Sequence, residues 1–358
     1  MSRRSPSRPA EPTSARRPAW ARFLVVAMAL VSLFFAWLCH VGPSWHPLLV
    51  LLVYVPLPLL TVPAVMAVLA SLWLSWWWRG VALTSLALVL TVVMGLVWGT
   101  PDEGVGRVRL MTYNVKAYLA MQRAGGPQAL AAEFAAHDAD VIVLQDSAEL
   151  EPMQDDERAP LWNLMFGKRE IFYRGQYMIA SRYPLRDCRV GLLQGQVVDK
   201  AHSYLHCQVQ VGQRAFDLVT VHLVTPRQGL VAVRREGLDG LDQWRQNLSY
   251  RTEQAVALVN QLRGRARPLV LAGDLNAPER TEVLRILMGQ LGLRDAFSSA
   301  GFGYGYTHGH SLRLGLSFLR IDHILVSDDI GVAAVEVGGA EGSEHRPVIA
   351  DLLLQRTY

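Results

Sequence analysis

Six short stretches of this 358-residue chain end in residues that can hold a metal ion and handle a phosphate. They are Met111-Thr-Tyr-Asn114, Val143-Leu-Gln-Asp146, Val219-Thr-Val-His222, Gly273-Asp-Leu-Asn276 and Arg320-Ile-Asp-His323, followed by Ser343-Glu-His345. In the first five, an apolar, strand-like run stops at a carboxylate, carboxamide or imidazole. Carboxylates and carboxamides offer hard oxygen donors of the kind magnesium takes, with waters left over for substrate chemistry. Imidazoles move protons near neutral pH. A fold that brings several strand ends to one rim gathers all of these groups in one pocket.

Each residue also has a plainer reading. Asp274 and Asn276 lie two apart at the end of an apolar run, so extended backbone points both to one side. Gly273 leaves space for close approach, yet Gly, Asp and Asn also make ordinary turns. Asn114 reads equally as a strand-end cap, and His222 as a satisfied core histidine. Asp322 falls inside a strand, where an unpaired charge is expensive, so it needs a cation, a metal or a histidine. Pairing with His345 would fix the imidazole tautomer and raise its basicity.

The elements that must position these groups follow from hydrophobic periodicity. Residues 108–113, 140–145, 176–181, 268–272, 321–327 and 346–354 predict strands. Residues 203–211 and 215–223 face each other across Gly212-Gln213 as a hairpin. Residues 127–137 have helical spacing with Pro127 in the first turn. Residues 231–263 are mostly helical, divided by Gly237 and Gly240, and 279–291 form another helix. Residues 100–106 read as a polar linker. Strands and helices are mixed, which fits helices covering one sheet or two stacked sheets in a single domain over 107–358.

Charge divides the chain. Residues 1–100 hold seven Arg and one Glu, while the remainder holds 28 basic against 30 acidic residues. The excess of positive charge therefore belongs to the N-terminal part, and the larger part carries no strong nucleic-acid footprint. Residues 1–22, rich in Arg, Pro and Ser, have too little apolar surface to order themselves and predict a disordered basic tail. Apolar runs follow at 23–38, 48–74 and 81–97, with no Asp, Glu or Lys between Arg22 and Thr100. Each approaches the roughly 20 residues that cross a bilayer, so 23–99 predicts an anchor of about three transmembrane helices. Pro56, Pro58 and Pro63 should kink the second or make it re-entrant, and Trp76, Trp77 and Trp78 suit a membrane interface. A cleaved signal peptide fits poorly, because no small-residue cleavage site follows the first run and two more apolar runs do. The excess of Arg places the tail in the cytoplasm, and three crossings then leave 101–358 outside it, at a bacterial inner membrane; a re-entrant second run would reverse that placement. Cys188 and Cys207 could pair in an oxidising compartment; two unpaired buried thiols are the plainer expectation.

Taken together and in order, the motifs over 107–358 resemble those of the endonuclease/exonuclease/phosphatase superfamily, the DNase I-like metal-dependent phosphoesterases. Leu144-Gln-Asp146 looks like the family's Leu-Gln-Glu, Met178-Ile-Ala-Ser-Arg-Tyr-Pro184 like its Ser-Arg segment, and Gly273-Asp-Leu-Asn276 matches its Gly-Asp-x-Asn. The resemblance implies an α/β fold of two packed mixed β-sheets flanked by helices, a four-layer sandwich, here preceded by transmembrane helices. It implies catalytic roles for His222, Asp274, Asn276, Asp322 and His345, and a site for Mg2+ or Mn2+ at Asn114, Asp146 and Glu344. Two departures stand out. The family's metal-holding glutamate is Asp146 here, and its Ser-Asp-His is Ser343-Glu-His345. Glu149 is a conceivable substitute ligand. The activity implied is hydrolysis of a phosphate ester, whether lipid headgroup, nucleotide or nucleic acid, at a lipid bilayer and with no obligate protein partner evident. An extracellular nuclease and an inactive membrane-anchored binding module are the alternatives.

Overall fold

A computed structural model describes residues 18–41, 46–193, 202–264 and 267–357. The expected basic tail lies outside the described residues as far as residue 17. The chain divides into two compact units, one made of residues up to 37 with 59–93, the other of 38–58 with 94–358.

In the apolar region, helices Ala19–Val41 and Trp76–Val93 are long and apolar enough to cross a membrane. The second apolar run is not one straight helix. Pro47–Tyr54 and Leu57–Ser71 are bent by 80° at the break between them. Pro56 sits at that break, where it removes an N–H donor and fixes φ, which ends a helix, and Pro58 falls in the first turn of the segment that follows. The first half of this run belongs to the larger unit.

The larger unit contains the strands β1 (Val97–Trp98), β2 (Glu103–Asn114), β3 (Val141–Gln145), β4 (Glu170–Arg174), β5 (Tyr177–Ser181), β6 (Leu185–Leu193), β7 (His202–Val211), β8 (Arg214–Val221), β9 (Leu269–Asp274), β10 (Leu293–Asp295), β11 (Phe302–Gly303), β12 (Asp322–Ser327), β13 (Gly331–Val337) and β14 (Val348–Thr357). Two six-stranded sheets form, in the orders β10-β12-β9-β8-β7-β6 and β13-β14-β2-β3-β5-β4. Both are mixed, with β2 parallel to β3 and β8 parallel to β9.

The layers follow from strands that are apolar on both faces. Val108 and Leu110 of β2, Val141 and Val143 of β3, Leu218 of β8 and Val270 of β9 meet between the sheets. The alternate residues Met111, Tyr113, Ile142 and Leu144 turn outward onto Leu130 and Phe134 of helix Gly126–His137 and Trp162 and Phe166 of helix Ala159–Phe166. On the other side Val219, Val221, Leu269 and Leu271 pack on Leu258 and Leu262 of helix Leu241–Leu262 and Leu287 of helix Glu282–Leu291. Helix, sheet, sheet and helix are thus stacked as expected, because a period of two splits each strand between two cores.

The eight strands that periodicity predicts are the central ones. The four long enough to matter that it does not predict, β4, β6, β10 and β13, are the edges of the two sheets. An edge strand meets water along one side and tolerates charge, so its apolar signal is weak; β6, for example, is exposed at Arg186, Asp187, Arg189 and Val190. Two other expectations are corrected. The polar stretch 100–106 is not a free linker: from Glu103 it is the start of β2, paired with the far end of β14. Cys188 and Cys207 are not free thiols but form a disulfide between the adjacent strands β6 and β7.

Candidate active site

The ends of β2, β3, β8 and β9 and the start of β12 meet at one rim. Because β12 runs antiparallel to β9, its first residue faces the last of β9, and Asp322 is the register partner of Asp274. Gly273 makes this approach possible: its φ is +156°, and a Cβ there would lie 2.2 Å from the Val221 carbonyl oxygen of β8. Beneath the rim, Gln145 ties the two sheets by donating to Thr112 Oγ1 at 3.2 Å and Thr220 Oγ1 at 2.9 Å.

Asp274 is the centre of the group. Its Oδ2 accepts from Asn114 Nδ2 at 2.9 Å, and its Oδ1 accepts from the Asn276 backbone N–H at 2.9 Å. The same Oδ2 lies 3.4 Å from His222 Nε2 and 3.8 Å from His345 Nε2. Asp322 accepts from His345 Nδ1 at 3.1 and 2.9 Å on its two oxygens, which fixes the tautomer and leaves Nε2 toward Asp274. His222 donates from Nδ1 to Gln176 Oε1 at 2.8 Å, with Asp146 Oδ1 at 3.5 Å. Asp274, Asn276, Asp322 and His345 are all buried. Asp146 and Asn276 adopt left-handed backbone, with φ of +51° and +49°. Asx residues reach that region more readily than others, but it still costs energy and concentrates at functional sites.

Ionisation follows from these contacts. Burial raises Asp146, but the hydrogen bond and charge of His222 and the charge of Lys116 outweigh it and hold the carboxyl below its ordinary range. Burial also raises Asp322, and His345 more than offsets it, leaving that acid low. Asp274 is different: burial, then the charge of Asp322, push it up, against the pull of His345 and His222. Burial disfavours protonated His345 and His222, yet the surrounding carboxylates raise both. The two neighbouring acids are thus driven in opposite directions by their surroundings.

The structure brings several of these residues together. Asn114, His222, Asp274, Asn276, Asp322 and His345 form one network, Asp146 joins through His222, and Glu344 joins at the edge. Glu344 is 3.8 Å from Lys116 Nζ. Among the described residues, the ligand atoms that lie within 4.8 Å of one another belong to Asp274, Asp322 and His345, a buried set able to hold an ion. Both oxygens of Asp322 are already engaged by His345, however, whereas Asp146 and Glu344 are partly open, with side chains 19 % and 27 % exposed. Glu149 is exposed on the turn Ala148–Gln154.

Four contributors escape a reading of the sequence. Lys116 has no motif around it; its place comes from a left-handed turn at φ +41° directly after β2. Gln176, which holds His222, lies in the turn between β4 and β5. His308 stacks beside His345 with ring centroids 4.6 Å apart and donates from Nδ1 to the Glu344 carbonyl at 3.0 Å. Burial and the charge of His345 push it down to about 3, so it stays neutral. His310 donates to the Ser343 carbonyl at 3.0 Å. The dense histidines of 308–310 are the only signal that could have found the last two.

Known proteins share this fold. The chain is similar in fold to an endonuclease/exonuclease/phosphatase from Bacteroides vulgatus, with 15 % identity, a TM-score of 0.52, and 70 % of this chain and 100 % of that one covered. It is also similar to a family protein from Bacteroides thetaiotaomicron, with 16 % identity, a TM-score of 0.51, and 70 % and 96 % covered. The catalytic domain of human Nocturnin, with a bound sulfate anion, gives 17 % identity, a TM-score of 0.50, and 72 % and 96 % covered. Comparison with curated proteins gives no match. The model of the Endonuclease/Exonuclease/phosphatase family matches residues 111–345, the span that runs from the first strand-end motif to the last histidine. With two stacked sheets, a rim built from their ends and that match over most of its length, the chain belongs to the endonuclease/exonuclease/phosphatase family.

Proposed function

We propose that the protein is a membrane-anchored, divalent-metal-dependent phosphoesterase that hydrolyses phosphodiester or phosphomonoester bonds by in-line attack of water. The observation that carries this reading is the convergence on Asp274, whose carboxylate meets Asn114, His222 and His345 within 3.8 Å. Asp274, oriented by Asn276 and Asn114, and His345, oriented by Asp322, face the place where a water would be aligned and relieved of its proton. His222 presents an N–H to a phosphate oxygen or to the leaving group. Asp146, to which we add Asn114 and Glu344 as further donors, suits Mg2+ or Mn2+, since these donors are hard oxygens and the Asp146 carboxyl is held low and partly open. When bound there, such an ion neutralises charge on the phosphate.

The apolar helices support an anchor, and the Arg-rich N-terminal region supports a cytoplasmic tail. The Cys188–Cys207 disulfide supports an extracytoplasmic position for 107–358, because such bonds persist in oxidising compartments. A membrane-held enzyme there meets lipid headgroups, nucleotides or nucleic acid, and a general phosphodiesterase or phosphatase is the reading we favour. The test is a panel of these substrates on the full chain in detergent, with Mg2+, Mn2+ or EDTA. Metal-dependent hydrolysis that disappears in Asp274→Ala is expected. A folded protein inactive with every metal would instead be a binding module. A reporter fused at the C terminus checks the compartment.

A further inference from the structure

From sequence, 48–74 is a single membrane run, yet its first part, Pro47–Tyr54, belongs to the same compact unit as the active-site strands. Its seat there is made of buried, specific contacts. Trp244 of helix Leu241–Leu262 is 0 % exposed and donates its indole N–H to the Pro47 carbonyl at 2.7 Å. Tyr54 packs edge-on against Trp244, with ring centroids 5.8 Å apart, and Val50 completes the cluster. Two turns along the same helix, Arg251 is 1 % exposed. It donates from Nη1 to Tyr54 Oη at 2.6 Å and to the Asn276 carbonyl at 3.2 Å. The Tyr54 hydroxyl donates to that same carbonyl at 3.2 Å. Among the described residues Arg251 meets no carboxylate, so a buried charge relies on these two oxygens and on the face of the Tyr54 ring, whose centroid is 5.5 Å away.

The shared acceptor matters because of what Asn276 does. Its left-handed backbone, φ +49°, aims its N–H at Asp274 Oδ1, 2.9 Å away, while its Nδ2 holds the Leu223 carbonyl at 2.9 Å. Such a conformation persists only where its surroundings over-determine it. A phenylalanine at position 54 would fill the space beside Trp244 equally well. The hydroxyl has work only toward Arg251 and Asn276.

We propose that Tyr54 is a positioning residue for the reaction. Together with Arg251 it pins the Asn276 carbonyl and so fixes the N–H that orients Asp274. Part of the N-terminal apolar region is thereby built into the catalytic unit. The proposal rests on the role given to Asp274 above.

The test uses the full chain in detergent, with Tyr54→Phe and, as a packing control, Val50→Ala. Amide hydrogen exchange at Asn276 should quicken by about tenfold in Tyr54→Phe, the scale of one lost hydrogen bond, with exchange in β9 unchanged. On a soluble phosphodiester, kcat should fall about tenfold with KM unchanged. Val50→Ala should lower the thermal midpoint and leave both readouts at wild-type values. Unchanged exchange at Asn276 overturns the proposal, and so does a kcat loss that Val50→Ala reproduces. Should Tyr54→Phe not fold, Arg251→Met, which keeps Tyr54 and removes the second donor, is held to the same criteria. An inactive wild type counts against the proposed function alone, since the exchange measurement decides the role of Tyr54 without turnover.

Discussion

Two buried acid–histidine assemblies grow from adjacent residues of β12 and are finished in opposite ways. Asp322 and His323 are neighbours on the strand, so their side chains leave opposite faces. On one face, Asp295 accepts from His323 Nδ1 at 2.8 Å, Arg320 Nη1 at 2.7 Å and the Ser298 N–H at 2.9 Å. His323 Nε2 donates to the Ala277 carbonyl at 3.0 Å, and Arg320 also meets Glu279 at 2.9 Å. Every strong donor there has an acceptor. On the other face, Asp322 holds His345, but His345 Nε2 is left 3.8 Å from Asp274, and among the described residues no arginine closes the group. The closed assembly has satisfied its electrostatics within the fold. The open one keeps capacity for something that arrives, and only the open one is suited to chemistry.

The largest effect should therefore be on turnover. Asp274→Ala or His345→Ala should lower kcat by about three orders of magnitude, the middle of the range for losing a positioned acid or base. The thermal midpoint should change by no more than a few degrees. Measured kcat close to wild type in either variant would remove the catalytic assignment and with it the contrast. Asp295→Ala should do the reverse. It leaves Arg320 and His323 buried without their acid, which costs about 3–5 kcal/mol of stability, while turnover per folded molecule stays at the wild-type value. Denaturant unfolding read alongside single-turnover kinetics checks both halves.

The same two carboxylates should give stability curves of opposite slope against pH. Burial raises Asp295, but Arg320 and His323 overcome it and hold the acid well below the carboxylate range. Its contribution is therefore present above the unfolded value, about 3.9, and is lost as pH falls toward the folded value. Asp274 is raised by burial and by the charge of Asp322. Its contribution is complete below about 3.9 and is lost as pH rises through its folded value. In EDTA at neutral pH, Asp295→Asn should melt below wild type and Asp274→Asn above it. Both differences should shrink as the solution is acidified. Melting points for the two variants that move in the same direction would contradict the contrast.

Ion binding should separate the two regions more gently. If the open assembly takes Mg2+ through Asp146, millimolar Mg2+ should raise the thermal midpoint by a few degrees, since an ion at a hundred times its dissociation constant adds about 2.7 kcal/mol. Asp146→Ala should abolish the shift and Asp295→Asn should keep it. Calorimetric titration of the ion gives the same answer without melting the protein.

How much of this could be seen in the sequence depends on what each residue answers to. The central strands carry apolar residues on both faces and stop at a polar group, so Asn114, Asp146, Asp274 and Asp322 are visible as interruptions of a strong pattern. Edge strands β4, β6, β10 and β13 lack that pattern because water takes one of their sides. Lys116, Gln176, His308 and His310 lie in turns and loops, where position is set by contacts from distant segments rather than by local periodicity. The Cys188–Cys207 disulfide depends on the pairing of β6 with β7, and β6 was itself invisible. Pro47–Tyr54 shows the same limit from the other side. Its apolar composition is equally suited to lipid and to the Trp244 surface, and only the bend at Pro56 separates it from the rest of the run. The difference between the two acid–histidine assemblies is also tertiary: the sequence shows Asp322 and His323 side by side, and nothing local tells which will find an arginine.

One methylene offers the finest comparison. Asp146 stands where the resembled family carries glutamate, at a backbone φ of +51° and with its side chain 19 % exposed. Asp146→Glu lengthens the carboxylate into partly open space, so the fold loses only the modest preference of Asp over Glu for left-handed backbone. Turnover with Mg2+ should change by less than about tenfold, since the charge stays and the donor moves by one bond length. Asp295→Glu adds the same methylene where Arg320, His323 and Ser298 already fill the surroundings. Overpacking of that kind costs about 1–3 kcal/mol, and catalysis should not notice it. Both variants are read by urea midpoint and by kcat. A stability loss at 146 that exceeds the loss at 295 would mean that the rim is the rigid region and the Arg320 assembly the adaptable one, the inverse of the division drawn from their hydrogen bonds.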